Sequence, residues 1–384
     1  MRKIAILGST GSIGRQTLDE CQRHPELFQV TALTAHSRAD LLFEQIRRFR
    51  PQAACLTGGW DGEIPEDLRF CRFYPADRME ALAAECDADD LMVAVVGVAG
   101  LRATLAGRKA GKRILLANKE TLVAGGALVM DACPWVDGQP TLIPVDSEHS
   151  AIWQCLQVAG PNRPQTIWLT ASGGPFRTWT KAAIDQATCA QALRHPTWNM
   201  GRKITVDSAS MLNKALEIIE AKWLFDVAPE QIRVLIHPQS VIHSMVGFED
   251  GAVLAQLGVP DMRVPILYAM TYPARAASGV PQPDFAALAQ LTFEAPDPDR
   301  FPALRLAYEA LRAGGAATAV LNAANEVAAQ AFLRDEIRMG AVYRVVAEVL
   351  ERLGAMPAAS LDDITAADRQ ARQAAESLLK QEYT

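Results

Sequence analysis

The chain has 384 residues, too many for one compact core, so about two or three domains are expected. Apolar residues make up 49% and charged residues 21%, the balance of an ordinary soluble globular protein. The net charge of −6 comes without a basic run, which argues against nucleic acid as a partner and leaves solubility as the meaning of the acidity.

The chain opens on "MRKIAILGSTGS", where basic residues precede an apolar run that stops at Gly8, too short for a secretory signal. Over residues 1–145, "KIAILG", "QVTALTA", "MVAVVG" and "RILLAN" read as strands, with helical patterns such as "GRQTLDECQRH" and "ADLLFEQIRRF" between them. Continuous apolar strands alternating with helices predict a parallel sheet covered on both faces, a doubly wound Rossmann-type domain. The longest apolar stretch, residues 91–101, is about half of what a membrane span requires. Residues 146–271 are mixed α+β, with strands "QTIWLTA", "RVLIH" and "AVLAQL" and a well-marked helix near 208–224. Residues 272–300 are proline-rich and read as a linker, and 301–384 is almost all helical pattern, a small terminal bundle. Seven cysteines (Cys21, Cys55, Cys71, Cys86, Cys133, Cys155 and Cys189) show no CxxC spacing, as suits reduced thiols rather than disulfides or zinc. A soluble cytoplasmic protein without a membrane span is expected.

Gly8, Gly11 and Gly14 follow the first strand at the mouth of a helix, where free N–H groups suit a pyrophosphate. The spacing is GxxGxxG rather than GxGxxG, and its position carries more weight than the pattern. The second strand ends in His36, Ser37 and Arg38, with no acid before Asp40. A cation there suits a ribose 2′-phosphate, so NADPH is expected rather than NADH.

In "TLIPVDSEHSAIW", Asp146 and Glu148 stand two apart. Extended backbone would put both carboxylates on one face, where they repel unless a cation sits between them. Further on, "TVDSASMLNKALEIIEAKW" sets Leu212, Leu216, Ile219 and Trp223 on a buried side. Ser210, Asn213, Lys214 and Glu217 form the adjoining stripe, which on its own suits a solvated face with a Lys–Glu pair. With Asp146 and Glu148, Glu217 makes a third acid, and three carboxylates suit a hard divalent ion such as Mg²⁺ or Mn²⁺. His149, His195, His237 and His243 have no zinc-ligand spacing and read as hydrogen-bonded or substrate-contacting residues. "LTASGGPF" leaves a strand through Ser172 and two glycines, a shape for wrapping an anion. Asn118, Lys119 and Glu120 sit at the carboxyl end of a strand, where open sheets bind ligands. "LRHPTWNMGRK", with His195, Trp198, Met200 and Gly201, has no clear period and suits a closing lid.

Taken together, "GSTGSIG", "LLANKE", "VDSEHSAI", "SGGPF", "HPTWNMGRKITVDSASMLNKALEIIEA" and "IHPQSVIHSMV" closely resemble the 1-deoxy-D-xylulose 5-phosphate reductoisomerase family, in order from residue 3 to about 340. The resemblance implies NADPH- and divalent-metal-dependent conversion of 1-deoxyxylulose 5-phosphate to 2-C-methylerythritol 4-phosphate, in non-mevalonate isoprenoid biosynthesis. It implies homodimers inhibited by fosmidomycin and an ion that is Mg²⁺ or Mn²⁺, with Co²⁺ a third option. Carried over, the metal ligands are Asp146, Glu148 and Glu217. Ser172, Ser208, Asn213 and Lys214 hold the substrate phosphate, with His195 near it, while Ser147 and Lys119 touch the oxygenated carbons. Lys119, Glu148 and His195 are the catalytic set. Thr10, Gly11, Ser12, Ile13, Asn118, Glu120 and Gly201 line the NADPH site, with Trp198 and Met200 on the lid. Many members carry a Gly–Lys–Asn-like triplet where this chain has His36–Ser37–Arg38, which leaves Arg38 to meet the 2′-phosphate. Two rival readings are a plain NADP-dependent dehydrogenase, which needs no metal, and a non-catalytic NADP sensor whose helical tail binds a partner.

Overall fold

A computed structural model describes residues 1–384 apart from Pro161, Asn199 and Thr384. The chain forms two compact units, each assembled from separated segments. The first takes Met1–Thr121, Val129–Ser150 and Asp261–Val280; the second takes Leu122–Leu128, Ala151–Pro260 and Pro281–Thr384.

The amino-terminal run is β1 (Arg2–Leu7), α1 (Ser12–Arg23), β2 (Phe28–Ala35), α2 (Ala39–Phe49), β3 (Ala53–Leu56) and β4 (Arg72–Tyr74). It continues with α3 (Met79–Glu85), β5 (Asp90–Val93), α4 (Ala99–Lys109), β6 (Arg113–Leu116), α5 (Lys119–Ala132), β7 (Leu142–Pro144) and α6 (Ser147–Ala159). Among the described residues the strands form one parallel sheet of seven, ordered β4-β3-β2-β1-β5-β6-β7. Its middle strands are apolar on both faces, and Ile4, Ala5, Ile6 and Leu7 are all 0% exposed. Helices therefore cover both sides, and the doubly wound expectation holds. The order reverses between β1 and β5, so the crevice at a topological switch point opens at their carboxyl ends. At the opposite end, buried Asp90 takes a two-pronged pair from Arg113 (2.8 Å) and a contact from Arg2 (3.1 Å). Arg113 also donates to the carbonyls of Met270 and Tyr272, anchoring the returning segment 261–280.

The chain goes on through β8 (Thr166–Ala171), α7 (Lys181–Asp185), α8 (Cys189–Ala192), α9 (Arg202–Ala209), α10 (Leu212–Phe225), β9 (Ile232–Ile236), β10 (Ile242–Gly247) and β11 (Val253–Leu257). After α11 (Arg263–Thr271) and α12 (Phe285–Leu288) come α13 (Ala303–Ala313), α14 (Ala317–Leu333), α15 (Met339–Leu353) and α16 (Leu361–Tyr383). The strands of the second unit form a mixed sheet, β11-β10-β8-β9. Its core is built around α10 and α14, with Ile218, Ile219, Val320, Leu321 and Phe332 at 0% exposed. The alanines of α14 leave room for close approach by its neighbours, and it packs on α9, α13, α15 and α16. The helix expected near 208–224 is two helices, broken at Met211, whose φ of 60° is left-handed. The proline-rich stretch before α13 is pinned. His237 Nδ1 lies 2.9 Å from the Thr292 carbonyl, Glu294 pairs with Ile236, and Arg300 donates to the carbonyls of Arg177 and Trp179.

Candidate active site

The glycine loop is built for close backbone approach. Gly8 has φ 87°, and a Cβ there would lie 2.4 Å from the Ala94 carbonyl oxygen. A Cβ on Gly14 would lie 2.3 Å from the Gly8 carbonyl oxygen, so only glycine lets α1 start this near the loop. Gly11 caps α1 without a side-chain hydrogen bond, and its first turn, from Ser12 and Ile13, carries no acid. That helix end is positive and suits an anion. Thr10 is half-buried between loop and helix. Across the switch point, Asn118 is 2% exposed and fully committed. Its oxygen caps α5 at Thr121 N (3.1 Å), and its nitrogen donates to Val95 O (2.8 Å), Gly97 O (3.0 Å) and Glu120 Oε2 (2.8 Å). Asn118 therefore clasps the loop after β5 into shape. Arg38 is exposed at the start of α2, beyond the carboxyl end of β2.

Beside this loop, Lys119 opens α5 and Asp146 precedes α6. Lys119 Nζ lies 3.3 Å from Asp146 Oδ1, and His149 Nδ1 lies 3.0 Å from Oδ2. Ser147 donates to Glu148 Oε2 at 2.5 Å. The extended-strand expectation for Asp146 and Glu148 is corrected here. Ser150 N donates to the Asp146 carbonyl at 2.8 Å, so the helix starts at once and Ser147–Glu148 form its first turn. The helix begins there because an acidic first turn favours its amino end.

In the second unit, β8 ends at Ala171 and the chain turns through Ser172, Gly173 and Gly174, the glycines at φ 85° and 64°. Gly174 passes within 2.8 Å, at its Cβ position, of the Ser208 carbonyl oxygen. His195 Nδ1 accepts the backbone N–H groups of Thr197 (3.2 Å) and Trp198 (2.9 Å). The neutral ring must then carry its proton on Nε2, which faces Ser208 Oγ (3.1 Å) and Ser172 Oγ (3.3 Å). Burial holds the His195 pKa below the usual histidine range, which keeps that neutral form. On α10, Lys214 is 3% exposed and Glu217 0%. Lys214 donates to the Thr170 carbonyl and to Glu217, and Asn213 donates to Glu217 Oε1 at 2.5 Å. The stripe that suits a solvated face is thus buried, because Leu212 and Ala215–Ala221 are buried on every side. Such a charged pair inside a protein is weak evidence for stability and better evidence for a job.

Three family models match the chain. They are 1-deoxy-D-xylulose 5-phosphate reductoisomerase over residues 4–126, its C-terminal domain over 142–225, and the DXP reductoisomerase C-terminal domain over 257–374. A 1-deoxy-D-xylulose 5-phosphate reductoisomerase of Ralstonia nicotianae is 53% identical over 98% of both chains. One of Phocaeicola vulgatus is 50% identical over 98% of this chain and 99% of its own. The chain belongs to the 1-deoxy-D-xylulose 5-phosphate reductoisomerase family. Among solved structures, the reductoisomerase of Zymomonas mobilis in complex with NADPH superposes with TM-score 0.88 at 42% identity, covering 98% of each chain. A DOX-P reductoisomerase in complex with NADPH, fosmidomycin and magnesium gives TM-score 0.90 at 39% identity, covering 99% of this chain and 98% of that one.

Against that reductoisomerase background, the first unit holds Thr10, Gly11, Ser12, Ile13, Arg38, Asn118, Lys119, Glu120, Asp146, Ser147 and Glu148. The second holds Ser172, His195, Gly201, Ser208, Asn213, Lys214 and Glu217, and brings Ser172, His195 and Ser208 into one hydrogen-bonded group. Gly201 caps α9, where its carbonyl accepts from Thr205 N (3.0 Å) and Thr205 Oγ1 (2.8 Å). Two contacts had no signal in the residue spacing: Thr170 O on Lys214, and the Val95–Gly97 loop on Asn118. The pairing of His149 with Asp146 is an i, i+3 contact that an extended backbone at 146–148 does not allow and a helix starting at residue 147 does.

Proposed function

We propose that this chain is an NADPH- and divalent-metal-dependent oxidoreductase that rearranges and reduces 1-deoxy-D-xylulose 5-phosphate to 2-C-methyl-D-erythritol 4-phosphate, for isoprenoid precursor biosynthesis. Membership of the family over nearly the whole chain carries the reading. The residues suit both cofactors. The uncapped α1 end and the glycine loop suit a pyrophosphate, with Thr10, Gly11, Ser12, Ile13, Asn118, Glu120 and Gly201 along the dinucleotide and Arg38 on the 2′-phosphate. Asp146, Glu148 and Glu217 are hard oxygen donors of the kind Mg²⁺ or Mn²⁺ takes, and in this reading they share one ion.

When bound, the ion stabilises negative charge on substrate oxygens and NADPH delivers the hydride. The protein's own groups do the rest. Lys119, held by Asp146, presents a cation and a proton to the oxygens being rearranged, with Ser147 beside it. Ser172, Ser208, Asn213 and the His195 Nε2–H receive the phosphate, a remote handle that fixes the reacting carbons. With phosphate and ion bound, Lys214 would face the phosphate and Glu217 would help hold the ion, so neither charge of the buried pair would be left alone. In this reading Trp198 and Met200 close over the bound substrate and exclude water from the reacting carbons.

A homodimer in the cytoplasm completes the proposal. Its support is the edge strand β11, with Val253 50% and Leu254 36% exposed, which offers an unpaired apolar edge to a second copy. All seven cysteines are unbridged and buried, as in a reducing compartment. Among the described residues no helix is long and apolar enough to cross a membrane. The deciding experiment follows NADPH absorbance with 1-deoxyxylulose 5-phosphate present. Oxidation should stop with a chelator and return with Mg²⁺ or Mn²⁺; oxidation indifferent to the chelator would leave a plain NADP-dependent dehydrogenase.

A further inference from the structure

Behind the phosphate-facing side of α9, a second set of buried polar groups ties that helix to the carboxyl-terminal helices. Asp207 is 2% exposed. Its Oδ2 lies 2.7 Å from Lys203 Nζ one turn earlier, and its Oδ1 accepts Asn325 Nδ2 of α14 at 3.1 Å. Asn325 is itself 0% exposed. Three residues after Asp207, the Ser210 carbonyl accepts the hydroxyl of the buried Tyr343 of α15 at 3.1 Å. Ser210 Oγ closes the turn, donating to Asp207 O (3.1 Å) and accepting from Leu212 N (3.3 Å). This turn contains Met211 at φ 60°, a left-handed conformation that disfavours a non-glycine residue.

We infer that Asn325, with Tyr343, is a positioning residue for phosphate recognition, acting through Asp207 and Ser210 on Ser208 and Asn213. Neighbouring residues on a helix point about 100° apart, so Asp207 faces α14 while Ser208 turns its hydroxyl to His195. Asp207 and Ser208 move together as one rigid turn. Pins at Asp207 and Ser210 bracket the junction from which Ser208 leaves on one side and Asn213 and Lys214 on the other. A slip of α9 would open the 3.1 Å spacing between Ser208 Oγ and His195 Nε2, and sub-ångström errors of this sort are expensive in a preorganised site. This inference rests on the phosphate reading of Ser172, Ser208, Asn213 and Lys214.

The test uses the full-length enzyme, with 1-deoxyxylulose 5-phosphate as substrate and inorganic phosphate as competitive inhibitor. Asn325→Leu removes a hydrogen bond to a charged group and should raise the sugar-phosphate KM about tenfold, weakening phosphate inhibition by the same factor. The NADPH KM should stay within about twofold, because the pins at Asp207 and Ser210 lie at the opposite end of α9 from Gly201, while kcat falls by no more than the sugar-phosphate KM rises. Asp207→Asn combined with Asn325→Asp re-forms the bond in reverse and should recover most of the affinity. Tyr343→Phe should act in the same direction, more weakly. If Asn325→Leu does not fold, Asn325→Ser and the swapped pair are read by the same two constants. A fall in Tm alone, or kcat and both KM values moving in parallel, overturns the inference. Lys214→Ala is the control: if it leaves phosphate inhibition unchanged, the phosphate reading has failed; if it acts and the Asn325 variants do not, the inference has.

Discussion

The glycine loop after β1 and the pocket around α10 are made from opposite materials. The loop is backbone: its key distances are those of missing Cβ atoms, and its charge is the uncapped end of α1. The α10 pocket is side chain, with a buried lysine and glutamate neutralising each other and a histidine held in one tautomer by two backbone N–H groups. The first is set by one strand–turn–helix unit and by the Ala94 carbonyl packed against it. The second depends on β8, the segment at 195–198, α9 and α10 meeting correctly, and so on the core beneath them. Damage to the loop should therefore be steric and selective for the dinucleotide, and damage to the pocket electrostatic and felt by stability as well.

The sharpest break is at the buried pair. Glu217→Gln should lower kcat by about 10³-fold, since a Lewis-acid contact is worth several kcal/mol. Mg²⁺ binding by calorimetry should be lost and NADPH binding kept. It also strands the Lys214 charge, which is 3% exposed, at a cost of about 3–5 kcal/mol in denaturant unfolding. Lys214→Met with Glu217→Gln should recover that stability and none of the turnover. If the double variant is no more stable than either single one, the two charges are not compensating each other.

A smaller effect sharpens the other side. Gly14→Ala puts a methyl 2.3 Å from the Gly8 carbonyl oxygen and 2.5 Å from Ser9 Cα, so backbone must move. About 1–3 kcal/mol of stability should go, with a higher NADPH KM and an unchanged sugar-phosphate KM. Equal rises in both constants would mean that the two regions do not fail independently.

The same contrast decides what the sequence discloses. Strands such as "KIAILG" and "QVTALTA" are legible because burial on both faces needs an unbroken apolar run. Strand β3, "AACL", has no β-branched or aromatic residue, and β4, "RFY", is 3 residues long, so neither stands out from the loops around it. The break at Met211 is illegible, since no glycine or proline marks it and the turn is held by Tyr343, 133 positions away in the chain. Spacing alone cannot tell the α10 stripe from a solvated face, because the covering atoms come from elements far along the chain. Asp146 and Glu148 mislead for a local reason: an apolar run followed by proline suggests continued strand, while the acids themselves suit a helix start. The return of 261–280 to the first unit leaves no local mark at all.

The mildest test concerns protonation of His195. Its Nδ1 accepts two backbone N–H groups, and a proton placed there would turn both contacts repulsive and free the chain at Thr197 and Trp198. Burial lowers its folded pKa, so between that value and the ordinary histidine value the unfolded chain binds more proton than the folded one. Stability from this group is then full above the unfolded pKa of about 6.5 and declines as the pH falls toward the folded value. Wild type should lose more Tm than His195→Asn on going from neutral to mildly acid buffer, and protease cleavage near 197–201 should increase over the same interval. An Asn variant as acid-sensitive as wild type would assign the slope to other groups and leave the second pocket's electrostatic character resting on the Lys214–Glu217 pair alone.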